Sequence, residues 1–325
     1  MSGLVDFDVS FPSSRVSVEQ MHQASGLSKA DILDVTHCDD FPALGSHESS
    51  WELALRAARV VLDRSGVAPA AIRQVIYAGS GEWDIPFWSP AAKVAHELGI
   101  DRAHCFELVN FCNAAMTAVQ VACDKLTLGE LGAGVADGYA LVLAADRLSR
   151  LVDYTDPGSK ALFNYGDAGA AILLAGCGER FTVLHSAMRT DPSWSDYYAG
   201  EHRPDGVAIR RNGHRTGLAD TYLDNFAALV DETLTALDRK RDDIAFLLIN
   251  QGDKRMHERL VDTIGIGRDR SVFNYHRLGH MGCADPLIAL GDLTGQDRLR
   301  AGDLILLATS GLGFSWGVTA LEYRG

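Results

Sequence analysis

Short, continuous apolar runs separated by helical stretches recur along this chain, and they restrict its possible folds more than any other feature. The clearest six runs are QVIYAGSG (74–81), YALVLAADRL (139–148), GAAILLAG (169–176), AFLLINQGD (245–253), DLILLATSGLG (303–313) and WGVTALEYR (316–324). Runs of this length are typical of strands that are buried on both faces of a sheet. Because helical stretches alternate with them, the sequence predicts an α/β protein.

The two halves of the chain present their elements in the same order. Each has a strand, a helical stretch, a turn of small residues that leads into a helix, and two closing strands. Any α/β chain shows some alternation of this kind, which is the simpler explanation. A repeat better explains why the turn carries a reactive side chain in both halves, Cys112 in one and His280 in the other. We therefore predict two pseudo-equivalent halves, residues 1–178 and 179–325, whose packing brings the two turns together.

Composition excludes several classes of protein. Hydrophobic residues make up 47% of the chain and charged residues 22%, which is typical of a well-packed globule. The net charge of −13 disfavours a nucleic-acid partner. No apolar stretch approaches the roughly 18 residues of a membrane helix, and the N-terminus lacks the pattern of a signal peptide. Six cysteines without a CxxC pair fit a reducing compartment. We predict a complete cytoplasmic protein that binds neither membrane nor nucleic acid.

Cys112 is the strongest candidate for a nucleophile. It lies in NFCNAAMTAVQVA, where a strand-like segment gives way to an alanine-rich helix. A thiol at a helix N-terminus experiences the positive end of the dipole, which lowers its pKa and favours the thiolate. Unpaired backbone amides there can also hold a thioester oxyanion. The alternative is a small core residue, and that explanation suffices for Cys105, Cys123 and Cys177.

His280 and Asp285, in GHMGCAD, are candidates for a base and its partner. An imidazole can take the proton of a thiol or of an incoming acceptor, and a carboxylate on its far nitrogen fixes the tautomer. Alternatively, Asp285 only caps the helix that follows. His276 and His280 have HxxxH spacing, but no HExxH motif or third ligand cluster accompanies it, so we predict no metal site.

Two other segments offer hydrogen-bond donors. Asn250 ends the strand AFLLINQ at the carboxyl edge, where open α/β sheets place functional residues. It either donates to a substrate or oxyanion, or merely satisfies the strand end. The loop TSGLGFSWG (309–317) has closely spaced amides and glycines that permit a close approach, and it is equally consistent with a structural turn.

Together these segments resemble the ketoacyl synthase III family of the thiolase superfamily. WSPAAKVAHELGI and CFELVNFCNAAMTAVQVA resemble the family's run into its catalytic cysteine. YALVLAADRLSR and FNYGDAGAAILL resemble its next two strand motifs, SGLGFSWGVTALEY its C-terminal glycine signature, and RVSVEQMHQASGLSKADI its N-terminal helix. The resemblance implies a five-layered αβαβα thiolase fold and a homodimer, with Phe87 and Trp88 lining an acyl tunnel across the dimer.

Two positions depart from the condensing members of that family. Where they carry His in an HQAN motif, this chain has Asn250, and where they carry Asn in a GNTS-like motif, it has His280. Condensing enzymes use that pair as donors to a developing enolate, so the exchange argues against ordinary chain extension. A divergent branch resembles this chain better, namely natural-product acyltransferases with a Cys-His-Asp arrangement that Cys112, His280 and Asp285 match.

This likeness implies a ping-pong acyltransferase. Cys112 would accept an acyl group from a coenzyme A or carrier-protein thioester, and His280, oriented by Asp285, would activate a hydroxyl, amine or thiol of a small-molecule acceptor. Backbone amides at Cys112 and in the Leu312–Gly313 turn would hold the oxyanion, with Leu312 where the family usually has Gly. No tightly bound cofactor is implied, because the phosphopantetheine thioester is the substrate. The alternative is a 3-oxoacyl synthase III-type priming condensing enzyme. A non-enzymatic partner of another synthase is disfavoured by the retained Cys112.

Basic residues indicate where the donor docks. Lys254 and Arg255 stand where the family has a residue implicated in carrier-protein docking, and they predict a basic patch with Arg259, Arg268 and Arg270. A solvated helix face is the alternative. Arg147 and Arg150 resemble a region that contacts the phosphates of coenzyme A. The family's other nucleotide-binding residues are not evident in THCDDFPALGS, which favours a carrier-bound donor.

Overall fold

A computed structural model of the chain describes residues 1–128, 138–178, 180–204, 206–212 and 215–325. Its strands are β1 (Gly3–Ser10), β2 (Arg15–Ser17), β3 (Asp40–Pro42), β4 (Ile72–Gly79), β5 (His104–Val109), β6 (Tyr139–Ala145), β7 (Gly169–Ala175), β8 (Phe181–Thr190), β9 (Tyr198–Arg203), β10 (Gly206–Arg211), β11 (Ile244–Ile249), β12 (Leu304–Gly311) and β13 (Ser315–Tyr323). Its α-helices are α1 (Val18–Ser25), α2 (Lys29–Thr36), α3 (Ser50–Ser65), α4 (Pro90–Glu97), α5 (Ala114–Thr127), α6 (Leu218–Ala236), α7 (Lys254–Ile264) and α8 (Asp285–Gly295). The predicted α/β class is confirmed.

Nine strands form one sheet in the order β11-β12-β13-β8-β1-β7-β6-β4-β5. On one side, β4 and β6 are parallel, whereas β6–β7 and β7–β1 are antiparallel. On the other side, β11 and β12 are parallel, whereas β12–β13 and β13–β8 are antiparallel. The same pattern of four strands thus occurs twice. The boundary predicted between residues 178 and 179 stays a prediction, because residue 179 lies outside the described residues.

Three hydrophobic clusters divide the molecule into layers. The central cluster contains α5 and α8 between the strands of the two sides, α3 and α4 cover one outer face, and α6 and α7 cover the other. Successive residues of a strand face different clusters: Val142 packs in the central one, and Leu141 and Leu143 in an outer one. Since both faces of the strands are covered, apolar residues predominate in them. The strands of the two sides lie on either side of the central helices and count as two layers. The layers therefore follow the predicted order αβαβα.

The two central helices bring distant parts of the sequence together. α5 and α8 are each preceded by a 3-10 turn, Phe111–Asn113 and Gly282–Ala284, and the two turns contact each other. β11 ends at Ile249, so Asn250 lies at the sheet edge as predicted. β6 ends at Ala145, earlier than predicted, which leaves Asp146 in the loop beside these turns. Among the described residues, no helix combines the length and apolarity that crossing a membrane requires.

Candidate active site

The turn that carries Cys112 is strained and firmly anchored. Phe111 has a φ of +51°, in the left-handed region that costs a residue with a β-carbon about 1–3 kcal/mol. Asn110 holds the turn from one side, because its Nδ2 donates to Thr117 Oγ1 at 2.8 Å and its Oδ1 accepts from Ser315 Oγ at 3.1 Å. Cys112 is 9% exposed and lies in the wall of a cavity.

Asn113 fastens the same turn to the second half of the chain. Its Oδ1 accepts from Thr309 Oγ1 at 2.5 Å, and its Nδ2 donates to Ser315 Oγ at 3.3 Å. Asn113 is fully buried, so these bonds satisfy polar atoms that water does not reach. The position of Cys112 therefore depends on β12 and β13 as well as on its own helix.

His280 is held reciprocally by residues of the first half. Its backbone N–H donates to the Asn164 carbonyl at 2.6 Å, and its own carbonyl accepts from the Gly166 N–H at 3.0 Å. A β-carbon at Gly279 would lie 2.1 Å from the Asn164 carbonyl oxygen, so this approach requires glycine. The ring of Tyr165 packs edge-on against the imidazole, with 5.2 Å between ring centroids. The backbone of His280 is thus fixed by two hydrogen bonds, and its ring is packed against Tyr165.

Cys112, His280 and Asp285 form a connected chain of side chains. His280 Nε2 lies 3.2 Å from Cys112 Sγ, and His280 Nδ1 lies 2.5 Å from Asp285 Oδ2. Asp285 also accepts from the backbone N–H groups of Gln251 at 2.7 Å and Met281 at 2.9 Å. A carboxylate opposite Nδ1 assigns the proton to that nitrogen, which leaves Nε2 free to accept the thiol proton. The sequence candidates therefore meet in space, and their catalytic roles remain a prediction.

The same region shows whether Asp285 caps α8 and whether His276 and His280 lie together. Asp285 is the first residue of α8, Ala284 is the N-cap, and no side chain caps the helix, so the interpretation of Asp285 as an N-cap is wrong. The two nitrogens of His280 face Cys112 and Asp285, whereas His276 is exposed. HxxxH spacing therefore does not bring these two histidines to a common ligand position.

Burial raises the pKa of the Cys112 thiol well above its ordinary value, and the neighbouring Cys283, Asp146 and Asp285 raise it further. The prediction that the helix start would lower this pKa is wrong, because desolvation of the thiolate outweighs the helix dipole. Cys112 is therefore a neutral thiol near pH 7. A thiol in this state needs a base before it can act as a nucleophile, and His280 Nε2 lies 3.2 Å from the sulfur.

Asp146 is a second buried carboxylate beside the site, and sequence reasoning missed it. Its Oδ1 accepts from the Ser80 N–H at 2.8 Å and from Ser80 Oγ at 2.7 Å. Its Oδ2 has no hydrogen-bond partner within the described ranges. Burial raises the pKa of Asp146. An aspartate after an apolar strand is too common in sequences to mark such a position.

Cys112 and His280 open into a cavity of about 350 Å³. Its wall includes six aromatic residues, Tyr165, Tyr197, Tyr198, Tyr222, Phe226 and Phe314. The rings of Tyr197, Tyr198 and Tyr222 all pack against Phe314, with centroids 5.7–6.3 Å apart. None of the described lysines or arginines lines this cavity. The aromatic wall was not predicted, because its residues come from separate segments with no shared motif.

Asn250 lines the cavity, but its amide already has backbone partners. Nδ2 donates to the Gly282 carbonyl at 3.0 Å, and Oδ1 accepts from the Ser310 N–H at 2.8 Å. These bonds favour the structural alternative for Asn250. Leu312 also lies in the cavity wall, whereas Gly313 does not. Contacts of Asn250, Leu312 and Gly313 with substrate or oxyanion stay predictions.

Phe87 and Trp88 lie away from the cavity of their own chain. Phe87 is fully exposed, with a φ of +53°, and Trp88 packs edge-on against Trp51 with 6.2 Å between ring centroids. Ile85 and Val109 are also exposed apolar residues, 49% and 55% accessible, so the apolar surface is not limited to Phe87. The predicted contribution to a tunnel across a dimer needs a second chain and stays a prediction.

The arginines of the predicted basic patch have partners. Arg255 pairs with Asp34 at 2.7 Å, and Arg259 pairs with Asp220 at 3.3 Å. Arg268 pairs with Glu258 and Asp262, and Arg270 donates to the carbonyls of Asp242 and Ile244. Lys254 forms no ion pair with any described residue. The arginines of this surface are therefore partly neutralised by their partners, and carrier docking there stays a prediction.

Of the two basic residues predicted to contact phosphates, Arg150 is engaged in structure. Arg150 donates to the carbonyls of Gly45 at 2.6 Å and Glu48 at 2.9 Å, and thereby braces that loop. Arg147 is half-buried, and its Nε has no partner in the described part of the chain. Contact of Arg147 and Arg150 with a donor's phosphates stays a prediction.

The fold has two matched sheet halves around paired central helices, and a cysteine from one half faces a histidine from the other. These features define a thiolase-fold enzyme. Two family models match the chain: 3-oxoacyl-[acyl-carrier-protein (ACP)] synthase III over residues 106–192 and the C-terminal model of the same family over residues 234–323. Together they span more than half of the sequence. The chain belongs to the 3-oxoacyl-[acyl-carrier-protein] synthase III family, as the sequence resemblance predicted.

Known relatives agree with this assignment. The chain is 29% identical over 276 residues to the beta-ketoacyl-[acyl-carrier-protein] synthase III of Paramagnetospirillum magneticum, a match that covers 83% of each chain. The 3-oxoacyl-[acyl-carrier-protein] synthase III of Aquifex aeolicus has a similar structure, with a TM-score of 0.88 at 20% identity over 99% of this chain and 100% of that one. A protein described as "ChlB3 [Aceyltransferase]" gives a TM-score of 0.84 at 22% identity over 99% of this chain and 98% of that one. At these identities the two structures establish the fold alone.

Proposed function

We propose that the chain is an acyltransferase that carries an acyl group on Cys112 and passes it to a heteroatom. The donor is a thioester of coenzyme A or of an acyl carrier protein, and the acceptor is a hydroxyl, amine or thiol, in natural-product biosynthesis. No carbon–carbon bond forms. The fold does not distinguish this reaction from condensation, so the proposal depends on the site.

One observation carries the proposal. His280 combines a contact to Cys112 Sγ at 3.2 Å with a contact to Asp285 at 2.5 Å, which is the arrangement of a general base with an orienting carboxylate. In a condensing enzyme the residue at the position of Asn250 is a donor to the enolate. Here Asn250 Nδ2 donates to the Gly282 carbonyl instead. The site supports proton transfer better than enolate stabilisation.

The first half-reaction follows from the resting protonation states. His280 Nε2 accepts the Cys112 proton, and the thiolate attacks the thioester carbonyl. The imidazolium is stabilised by the Asp285 carboxylate on its other side. When the tetrahedral intermediate collapses, the donor's sulfur leaves with the proton held on Nε2. The enzyme is then a Cys112 thioester with a neutral His280.

The second half-reaction reverses these proton movements. An acceptor hydroxyl, amine or thiol enters the aromatic cavity that the donor's arm has vacated, and His280 Nε2 takes its proton as it attacks the Cys112 thioester. The Cys112 sulfur leaves, and His280 returns the proton to it. Because donor and acceptor must both reach His280, they use the same cavity in turn.

A mass-based experiment tests the proposal. Wild-type protein and Cys112→Ala are incubated with a panel of acyl-coenzyme A and acyl-carrier thioesters, and intact mass is recorded before and after addition of alcohol, amine and thiol acceptors. We expect a gain of one acyl group in the wild type alone, followed by its loss with formation of an ester, amide or new thioester. No gain with any donor would contradict the proposal.

The alternative function is a priming condensing enzyme, which the names of the sequence relatives favour. It predicts that malonyl thioester is consumed with release of carbon dioxide and formation of a β-keto product. A β-keto compound as the sole product would replace our proposal with this alternative. Comparing coenzyme A with carrier donors in the same assay also identifies the physiological thioester.

A further inference from the structure

The turn before α8 repeats the turn before α5. In the first, Phe111 has a φ of +51°, Cys112 follows, and α5 begins at Ala114. In the second, Gly282 has a φ of +60°, Cys283 follows, and α8 begins at Asp285. A left-handed residue followed by a cysteine thus occupies the same place in both halves. Cys112 has been assigned a role, and its counterpart has not.

Cys283 makes a direct contact to the nucleophile's turn. Its thiol donates to the carbonyl oxygen of Phe111 across a distance of 2.9 Å, and the same oxygen accepts from the Ala114 N–H. Burial raises the pKa of the Cys283 thiol, and the N–H groups of Ala114 and Ala115 at the start of α5 oppose that rise. The backbone N–H groups at the start of α5 therefore act on the Cys283 thiol as well as on the Cys112 thiol.

Cys283 is not placed to react with substrate itself. It is 2% exposed and is not among the described residues that line the cavity. The ionisable groups around it are Cys112, Asp146, Asp285 and Tyr77. None of these is a cation that would stabilise a thiolate, and burial keeps the thiol neutral. A neutral thiol retains its hydrogen for the bond to Phe111.

We propose that Cys283 is a positioning residue that sets the distance between Cys112 and His280. Phe111 immediately precedes Cys112, and Cys283 follows His280 by three residues, so one hydrogen bond links the two reacting segments across the halves. The simpler explanation is a small core residue that only fills space. The two explanations differ in whether the donor hydrogen matters, and both rest on Cys112 as the nucleophile of the proposed function.

The test compares Cys283→Ser, which keeps a donor, with Cys283→Ala and Cys283→Val, which do not. Cys123→Ser is the matched control, because Cys123 is a part-buried cysteine on α5 outside the cavity wall. For each variant we measure thermal unfolding, acylation of Cys112 by an acyl thioester, and alkylation of Cys112 by iodoacetamide, followed by peptide mass spectrometry across a wide pH range.

We expect Cys283→Ala and Cys283→Val to slow both reactions of Cys112 about fivefold or more, the factor for one net hydrogen bond of about 1 kcal/mol. Cys283→Ser should recover most of the rate, KM for the donor should not change, and Cys123→Ser should match the wild type. The proposal would be overturned if Cys283→Ala and Cys283→Val showed wild-type rates and pH dependence. It would also be overturned if Cys283→Ser and Cys283→Val lost the same fraction of the Cys112 reaction rate.

The outcomes also separate this inference from the proposed function. If the wild type takes up no acyl group, the proposed function fails, yet the alkylation rates still report on the contact between Cys112 and His280. If Cys283→Ala does not fold, the pair Cys283→Ser and Cys283→Val, which are closer in volume to cysteine, decides the question.

Discussion

The turns before α5 and α8 share a backbone and differ in what surrounds them. Cys112 is 9% exposed and faces a cavity and an imidazole, whereas Cys283 is 2% exposed and faces a carbonyl oxygen. The same residue type at the same place in a repeated fold thus faces a base and open space in one half and donates a hydrogen bond in the other. Access and partners, rather than the turn itself, determine the chemistry.

The largest expected effect concerns the nucleophile. Cys112→Ala should abolish the acyl-enzyme and lower transfer by roughly 10⁴-fold or more, because triad-type residues act as a unit. Intact-mass and peptide mass spectrometry check this result. An acyl group found on Cys283 of the variant would break the distinction between the two turns.

His280→Ala should lower the rate of Cys112 acylation by about 10³-fold, within the range for loss of a general base. Burial raises the pKa of Cys112, so without the base the thiolate is scarce near neutral pH. Alkylation of the variant should therefore increase with pH and reach its midpoint above the ordinary pKa of a thiol. A midpoint near or below that value would mean that the thiol is acidic without His280.

Asp285→Asn should reduce transfer by about 10²-fold, because an amide does not hold the His280 tautomer or stabilise its protonated form as a carboxylate does. Asp285 also accepts from two backbone N–H groups, so thermal unfolding should show a loss of about 1–3 kcal/mol. A stability loss without a change in transfer would reduce Asp285 to a structural residue.

The variant Asn250→Ala distinguishes a structural role of the Asn250 side chain, at the end of β11, from a catalytic one. Loss of the bonds to Gly282 and Ser310 should cost about 1–3 kcal/mol in unfolding free energy, while acylation of Cys112 should stay within about tenfold of the wild type. Unchanged stability with a much larger loss of acylation would instead identify Asn250 as a donor to substrate.

The smallest effect is expected at the surface. Arg255→Ala should change neither thermal stability nor the KM for a carrier-bound donor, because its exposed ion pair with Asp34 contributes little. The KM of Arg255→Ala should be compared with that of Lys254→Ala, since Lys254 has no ion pair within the described residues. A raised KM for Arg255→Ala alone would support carrier docking through Arg255.

Much of the architecture was predictable because it depends on pattern. Strands buried on both faces are apolar at most positions, and β4, β6, β7, β11, β12 and β13 were all recognisable for that reason. Cys112, His280 and Asp285 could be proposed because each reactive side chain has a motif around it. The resemblance to a family then supplied their mutual arrangement.

Other features depend on packing that no local pattern encodes. The raised pKa of Cys112 results from burial among groups of both halves, so the helix start alone gave the opposite sign. The acidic partners Asp34 and Asp220 lie far in sequence from the arginines that they pair with. Cys283 resembles any small core residue until its contact with Phe111 is seen.

The separation of the reacting pair in the sequence has a consequence for synthesis of the protein. Cys112 and His280 are 168 residues apart, so the thiol exists in the growing chain long before its base has been made. Until the second half has folded against the first, no imidazole faces the cysteine. The raised pKa of the thiol and the imidazole that faces it are thus acquired together, when the second half folds against the first.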